Sequence, residues 1–346
     1  MLLLRPWHAL VTARKDDPEL KWAKGTSGLR SRFLVTLTRS HRMRLDNAAG
    51  AAVYRCASAI RAGKAEALVP PAPEAPVSRA EVGALTFSGV EHLDADLTDQ
   101  EPAGFFEAWW QQRLQSPASC EGKELAVEAL QGHTFKLEGA MVATGEAPKL
   151  KALLHTVETQ RILCLNRGKG PSGAETANAW FARRREAKRK EWEAKGEGIP
   201  LQHQRVRGFF AGEPVLFLLN DYVLKLFNGD HGVLAWTKRG GEVPRLRAVF
   251  ARPTGFEAFD LEAVHGQMQR AYALTVHKAQ GSQVDYAALL LPAEAENPLL
   301  VNQLVYTAVS RATTSVVIVG NLERLKEATL RPVVRYCGVV DRVAQV

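Results

Sequence analysis

Residues 271–319 constrain the fold more than any other part of the chain. Ala271-Tyr272-Ala273-Leu274-Thr275-Val276 is an apolar run that stops abruptly in the polar and glycine residues His277-Lys278-Ala279-Gln280-Gly281-Ser282-Gln283. Val284 to Leu291 is a second apolar segment, Leu304 to Ala312 reads as a helix with Arg311 at its end, and Ser315 to Val319 is a third apolar run. Strands buried on both faces appear as continuous apolar runs and belong to parallel sheets covered by helices. The expected fold is therefore α/β, with the polar turn at the carboxyl edge of the sheet, where open α/β folds keep their ligands.

Other segments fit the same architecture. Phe33 to Leu37 predicts a strand delivering Thr38-Arg39-Ser40-His41-Arg42, and Ala48 to Ala62 predicts a helix closed by Gly63. Val69 to Val77 is too rich in proline for a helix or a central strand. Ala84 to Ser88 is expected as a strand, Phe105 to Leu114 as a helix whose Trp109 and Trp110 belong to the core, and Ala147 to Val157 as another helix. Arg161 to Leu165 predicts a short buried strand, and Asn166 to Gly173 a glycine-rich turn into a helix from Ala174 onward. The charge run Arg183 to Lys195 reads as a solvated helix face, with carboxylates three and four residues from bases. From Glu213 to Trp236 the pattern turns to β: a strand at Pro214 to Leu219, a turn at Asn220 to Tyr222, and a hairpin over Leu226 to Leu234 around Asn228-Gly229. Arg245 to Phe250 alternates as a short exposed strand would.

Composition narrows the partners. The 346 residues suffice for one large or two modest domains, and 45 Lys and Arg against 37 Asp and Glu give a net charge of +8, which favours an anionic partner such as nucleic acid. Cys56, Cys120, Cys164 and Cys337 are scattered without paired spacing, so neither a zinc site nor a disulfide framework is expected. The start lacks the apolar run of a signal peptide and no stretch is long enough to span a bilayer, which makes a cytoplasmic protein the expectation.

Two of these segments carry a family resemblance. Thr-Val-His-Lys-Ala-Gln-Gly-Ser at 275–282 and Val-Tyr-Thr-Ala-Val-Ser-Arg-Ala at 305–312 resemble motifs V and VI of superfamily 1 DNA helicases, in particular the RecD type, the alpha subunit of exodeoxyribonuclease V. The resemblance implies a P-loop NTPase fold, the RecA-like parallel sheet of a second motor domain flanked by helices, with a small inserted SH3-like β-barrel. It divides the chain into a poorly matched segment 1–30, a first motor part 31–226, a small β insert 227–266 and a second motor part 267–346. Asn220-Asp221-Tyr222 and Phe227-Asn228-Gly229-Asp230 match the signature that opens that insert, and Asn220 and Asn228 join the expected DNA contacts.

The same resemblance assigns roles. His41 would lie against the base of ATP, and Arg42 would reach its terminal phosphate. Arg311 would point across a cleft at the γ-phosphate, where an arginine fork meets charge that grows during phosphoryl transfer. Thr275 and His277 would touch DNA phosphates, with Lys278 adding charge. Gly281 would permit close approach. Gln283 stands where the family usually has the glutamate that holds the ATP ribose; it can still accept a hydrogen bond but carries no charge.

Neither Gly-x-x-x-x-Gly-Lys-Ser/Thr nor an apolar strand ending in Asp-Glu occurs in the sequence. Without the phosphate loop and the magnesium-holding carboxylates, ATP and Mg2+ are expected only in a complete motor, and this chain is expected to be inactive as an ATPase alone. The implied function is the carboxyl-terminal half of an ATP-dependent 5′ to 3′ DNA helicase in recombination and repair, binding single-stranded DNA and working with RecB-type and RecC-type subunits or a separate nucleotide-binding half. A non-catalytic DNA-binding or assembly module, the remnant of a truncated helicase gene, and a relaxase-associated helicase segment are the alternatives.

Overall fold

Asn47 and Gly63 bracket the first helix of the computed structural model, which describes residues 45–333 apart from 73, 169 and 197. The Asn47 side chain accepts from Gly50 N at 2.7 Å, and Gly63, at φ 71°, closes the far end of α1 (Ala48–Ala62), where only glycine adopts that backbone freely. The boundaries agree with the sequence expectation. The predicted strand Phe33 to Leu37, together with His41, Arg42 and Cys337, lies outside the described residues, and the described residues 45–332 belong to one unit.

Six parallel strands make the first sheet, in the order β1 (Val77–Ala80), β2 (Gly89–Leu93), β15 (Ala312–Val319), β14 (Val284–Leu290), β7 (Gln160–Cys164) and β13 (Ala273–Thr275). Helices α1, α7 (Asn302–Val309) and α8 (Leu322–Leu330) cover one face, through Val53, Ile60, Val305 and Leu325. On the other face lie α2 (Ala103–Trp109), which runs on into a π turn at Trp110–Leu114, and α5 (Ala174–Ala194). Every residue of β2 and β7 is buried, which is why their sides show no alternation. Trp109 sits in this core at 1% exposure, as expected.

The strand expected at Ala84 to Ser88 falls instead at β2, just beyond it. Glu91 and His92 make that segment look too polar for a core, but both are satisfied inside it. Glu91 accepts from Thr86 N at 2.8 Å and Phe87 N at 2.7 Å, and His92 Nε2 meets the Gly320 carbonyl at 2.7 Å.

The second sheet contains a small closed barrel. β9 (His231–Arg239), β10 (Arg245–Arg252), β11 (Gly255–Asp260), β6 (Met141–Val142) and β5 (Thr134–Glu138) pair in a ring, with β5 beside β9 in parallel and the other pairs antiparallel. The expected insert 227–266 supplies three of these strands, while β5 and β6 come from 134–142. Alternation at Thr134 to Glu138, with Phe135 and Leu137 buried and Lys136 and Glu138 exposed, was the signal for β5. β10 is not the exposed strand its alternation suggested, because its two faces enter different cores: Leu246, Ala248 and Phe250 pack into one, and Val249 joins the other beside α4 (Ala147–Glu158).

β8 (Pro214–Phe217) and β12 (Met268–Arg270) continue this sheet from the near half of β9. The expected two-residue hairpin at Asn228-Gly229 is instead part of a longer loop, 218–230, joining β8 to β9. Only Ala271 and Tyr272 separate β12 from β13, so the chain passes directly from barrel sheet to parallel sheet. Ala271 N donates to Pro214 O at 2.9 Å on one side, and the Tyr272 carbonyl accepts from Ile162 N at 3.2 Å on the other.

Candidate functional site

The turn that follows β13 crosses the sheet from edge to edge. Thr275 pairs with Cys164 at the carboxyl end of β7, whereas Tyr286, two residues into β14, pairs with Gln160 at its amino end. Four residues of extended chain separate those levels, about 13 Å. The polar turn expected at the carboxyl edge therefore begins there but delivers Gly281, Ser282 and Gln283 to the opposite edge. A single-turn helical path makes this crossing short, with Ala279 N bonded to Thr275 O and Gln280 N to His277 O.

At the carboxyl end, Thr275 Oγ1 accepts from Lys278 N at 3.3 Å, which leaves its O–H as a donor. His277 is exposed, and the Lys278 Nζ donates to Gln269 Oε1 at 3.0 Å. Burial, then the nearby Arg167 charge, hold the Lys278 ammonium below its ordinary pKa. Arg167 belongs to the loop that carries β7 into α5, where Gly173 is obligatory: an added Cβ would stand 1.9 Å from the Gly168 carbonyl oxygen. The glycine-rich segment is thus a turn, as expected, and it places a second cation beside Lys278.

β13 is an edge strand only three residues long, and a side chain does the work of the missing neighbour. Asn178, inside α5, accepts from Ala273 N at 3.1 Å and donates to Ala273 O at 2.8 Å. Sequence reading missed Asn178; an asparagine in a helix interior, where it is a poor helix former, was the available signal.

At the amino edge, Gly281 adopts φ 91° with open space where a side chain would be, and Gln283 is exposed. Arg311, between α7 and β15, donates from Nη1 to Ser282 O at 3.1 Å, and its own carbonyl accepts from Val284 N at 3.0 Å. The structure thus brings Arg311, Gly281 and Gln283 together at one edge, and Thr275, His277 and Lys278 at the other. Asn220 and Asn228 meet in the β8–β9 loop, where Asn220 Oδ1 accepts from Asn228 N at 2.9 Å. Among the described residues no three His, Cys, Asp or Glu side chains gather into a metal site.

The basic helix α5 is mostly paired. Arg184 meets Glu107 at 2.8 Å, Arg189 meets Glu186 at 2.8 Å, and Lys188 meets Glu191 at 3.0 Å, in line with a solvated face. Arg185 departs from that reading. It is 3% exposed and donates to Gln131 Oε1, Gln202 O and Ala211 O at 3.0, 2.7 and 2.8 Å, fastening α5 to the barrel side.

Comparison with known proteins bears on the same segment. Residues 270–319 match the UvrD-like helicase C-terminal domain. The RecBCD enzyme subunit RecD of Mycolicibacterium smegmatis is 31% identical over 91% of this chain and 45% of its own, and that of Mycobacterium tuberculosis is 30% identical over 90% and 43%. The chain therefore spans under half the length of these relatives. The ATP-dependent RecD2 DNA helicase of Deinococcus radiodurans is 37% identical over 29% of this chain and 13% of its own. The solved Pif1 helicase of Candida albicans, 15% identical, covers 74% of this chain and 76% of its own at a TM-score of 0.29, too low to support the fold by itself. No described helix is long and apolar enough to cross a membrane. The chain is thus similar to RecD subunits along most of its length, and its residues 270–319 match a UvrD-like helicase C-terminal domain.

Proposed function

We propose that this chain is the carboxyl-terminal motor half of an ATP-dependent 5′ to 3′ DNA helicase of the exodeoxyribonuclease V alpha type. Its parallel sheet is the RecA-like second motor domain and its closed barrel the SH3-like insert of that family, with 31–226, 227–266 and 267–346 as the successive parts. Thr275, His277 and Lys278 hold the phosphates of single-stranded DNA, and Asn220 and Asn228 extend that surface. Gly281, Gln283 and Arg311 serve a nucleotide whose phosphate loop and Mg2+ ligands are supplied elsewhere; the family resemblance alone assigns His41 and Arg42, which lie outside the described residues, to the same nucleotide. The chain acts in recombination and repair in the cytoplasm, beside RecB-type and RecC-type subunits.

The observation that supports this reading is the edge-to-edge course of residues 275–283. One short hydrogen-bonded turn links the residues proposed for DNA to the residues proposed for nucleotide. Gln283 offers an amide to a ribose hydroxyl and Arg311 offers charge to a phosphate. ATP, when bound, would supply the phosphoryl group.

Binding of a fluorescent single-stranded oligonucleotide across a salt series tests the DNA half of the proposal. Affinity falls with salt, with a slope near −0.7 for each phosphate neutralised, and His277→Ala with Lys278→Ala weakens binding and flattens the slope. An affinity indifferent to salt contradicts it.

A further inference from the structure

The loop between β8 and β9 holds large apolar side chains in water: Leu219 is 56% exposed, Tyr222 77%, Val223 90% and Phe227 44%. Loops with so few buried contacts are ordinarily the mobile parts of a fold. This one is braced along its length. Asp221 Oδ1 accepts from Val223 N and Leu224 N, both at 2.9 Å, and Asp230 Oδ2 accepts from Phe227 N at 2.9 Å. Arg252 donates to the carbonyls of Leu224 at 3.0 Å and Lys225 at 2.7 Å, and Leu226 is fully buried in the barrel-side core. Tyr222 and Phe227 are thereby held edge to face, with ring centroids 6.0 Å apart at 78°.

The root of the loop adjoins the turn proposed to hold DNA. Leu218 packs against the small cluster of Leu216, Ala271 and Leu274, the last of which precedes Thr275 in the chain. Lys278 Nζ bonds to Gln269, which pairs with Leu216 across β8 and β12. The loop that carries the rings thus springs from a strand one pairing away from the Lys278–Gln269 hydrogen bond, and it adds the exposed Lys225.

We propose that Tyr222 and Phe227 form a stacking platform for the bases of the single strand whose phosphates lie against Thr275, His277 and Lys278. The inference rests on the DNA-binding reading above. Rigid aromatic faces beside cations fit a strand with negative phosphates and flat bases: stacking is tolerant of sequence, and the ordered loop loses little entropy on binding.

The test measures binding of the 346-residue chain to an oligothymidylate and to an abasic strand of the same length. Tyr222→Ala and Phe227→Ala each weaken oligothymidylate binding at least fivefold. The salt slope does not change, because stacking releases no counterions, Tyr222→Trp retains binding, and the difference between wild type and variants vanishes on the abasic strand. Both rings are exposed, so thermal midpoints stay at the wild-type value and loss of fold is separable. Variants that bind oligothymidylate like wild type, while His277→Ala with Lys278→Ala weakens it, overturn the platform and leave the phosphate reading standing. Variants that keep DNA but lose a RecB-type subunit make the loop a protein-docking surface and also overturn it. A wild-type chain that binds neither strand defeats both readings.

Discussion

Arg311 and Ser282 are joined directly: the guanidinium donates from Nη1 to the Ser282 carbonyl at 3.1 Å while Nε donates to Thr307 O at 3.2 Å. The end of α7 is thus tied to the residue before Gln283, which links two groups proposed for nucleotide. Because Lys278 lies four residues before Ser282 on a hydrogen-bonded turn, the same tie reaches the DNA edge.

Supplied with a separate nucleotide-binding half, the chain is expected to lose about 10³-fold or more in kcat for ATP with Arg311→Ala. Arg311→Lys restores little, since an ammonium lacks the fork that reaches two oxygens at once. Binding of single-stranded DNA by the isolated variants stays within about twofold, because a surface charge away from the strand is screened. Steady-state hydrolysis and anisotropy check both halves of this expectation.

Asn178→Ala is expected to destabilise the protein by about 1–3 kcal/mol, the cost of leaving buried backbone groups of Ala273 unpaired. It should also weaken DNA binding without changing net charge, because β13 positions Thr275. Asn178→Asp, which keeps the acceptor and loses the donor, falls between. Chemical denaturation and the salt slope measure the two effects separately.

Arg185 and Arg183 share one charge run and should differ sharply on truncation. Arg185→Ala leaves Gln131, Gln202 and Ala211 acceptors without their cation and is expected to cost about 3 kcal/mol. Arg183 pairs with Glu101 through a side chain 58% exposed, and Arg183→Ala should change stability by less than about 1 kcal/mol. Denaturant midpoints of the two variants give the comparison.

Those two arginines mark where sequence legibility ends. Helix α1 was readable because Gly63 is a local stop signal, and β14 and β15 were readable because burial on both faces leaves an unmistakable apolar run. Long-range partners were not readable. Glu91 and His92 look like surface residues until Thr86, Phe87 and Gly320 are beside them. The barrel's β5 pairs with β9 about a hundred residues later, so its place depended on a register that no local pattern carries. At 275–283 and 311 the sequence names candidates only; it placed their turn at the carboxyl edge, whereas the parallel pairing of β13 and β14 with β7 carries the turn across to the other edge. Asn178 is an unusual helix-interior residue, but its role depends on Ala273, 95 positions later in another element.

His231 gives the protein an acid-sensitive component. Burial, reinforced by the Arg161 charge, lowers its pKa from an ordinary 6.5 to about 3. Between those values the unfolded chain takes a proton that the folded chain refuses, so stability is complete above about 6.5 and falls as pH drops, by at most about 1.4 kcal/mol per pH unit for one group. The Glu213 carboxyl, raised above 4.5 by burial, contributes the opposite slope. Comparing wild type with His231→Gln isolates the histidine: the difference in unfolding free energy should shrink as pH falls from 7 to 5.

The central claim is that this chain contributes arginine and strand-gripping residues to a motor whose phosphate clasp is supplied elsewhere, and ATP turnover by the purified 346-residue chain, with and without single-stranded DNA, tests it most directly. No hydrolysis above the buffer blank is expected in either case, alongside salt-sensitive DNA binding that ATP leaves unchanged. Hydrolysis stimulated by DNA, and abolished by Arg311→Ala in the chain alone, would contradict it.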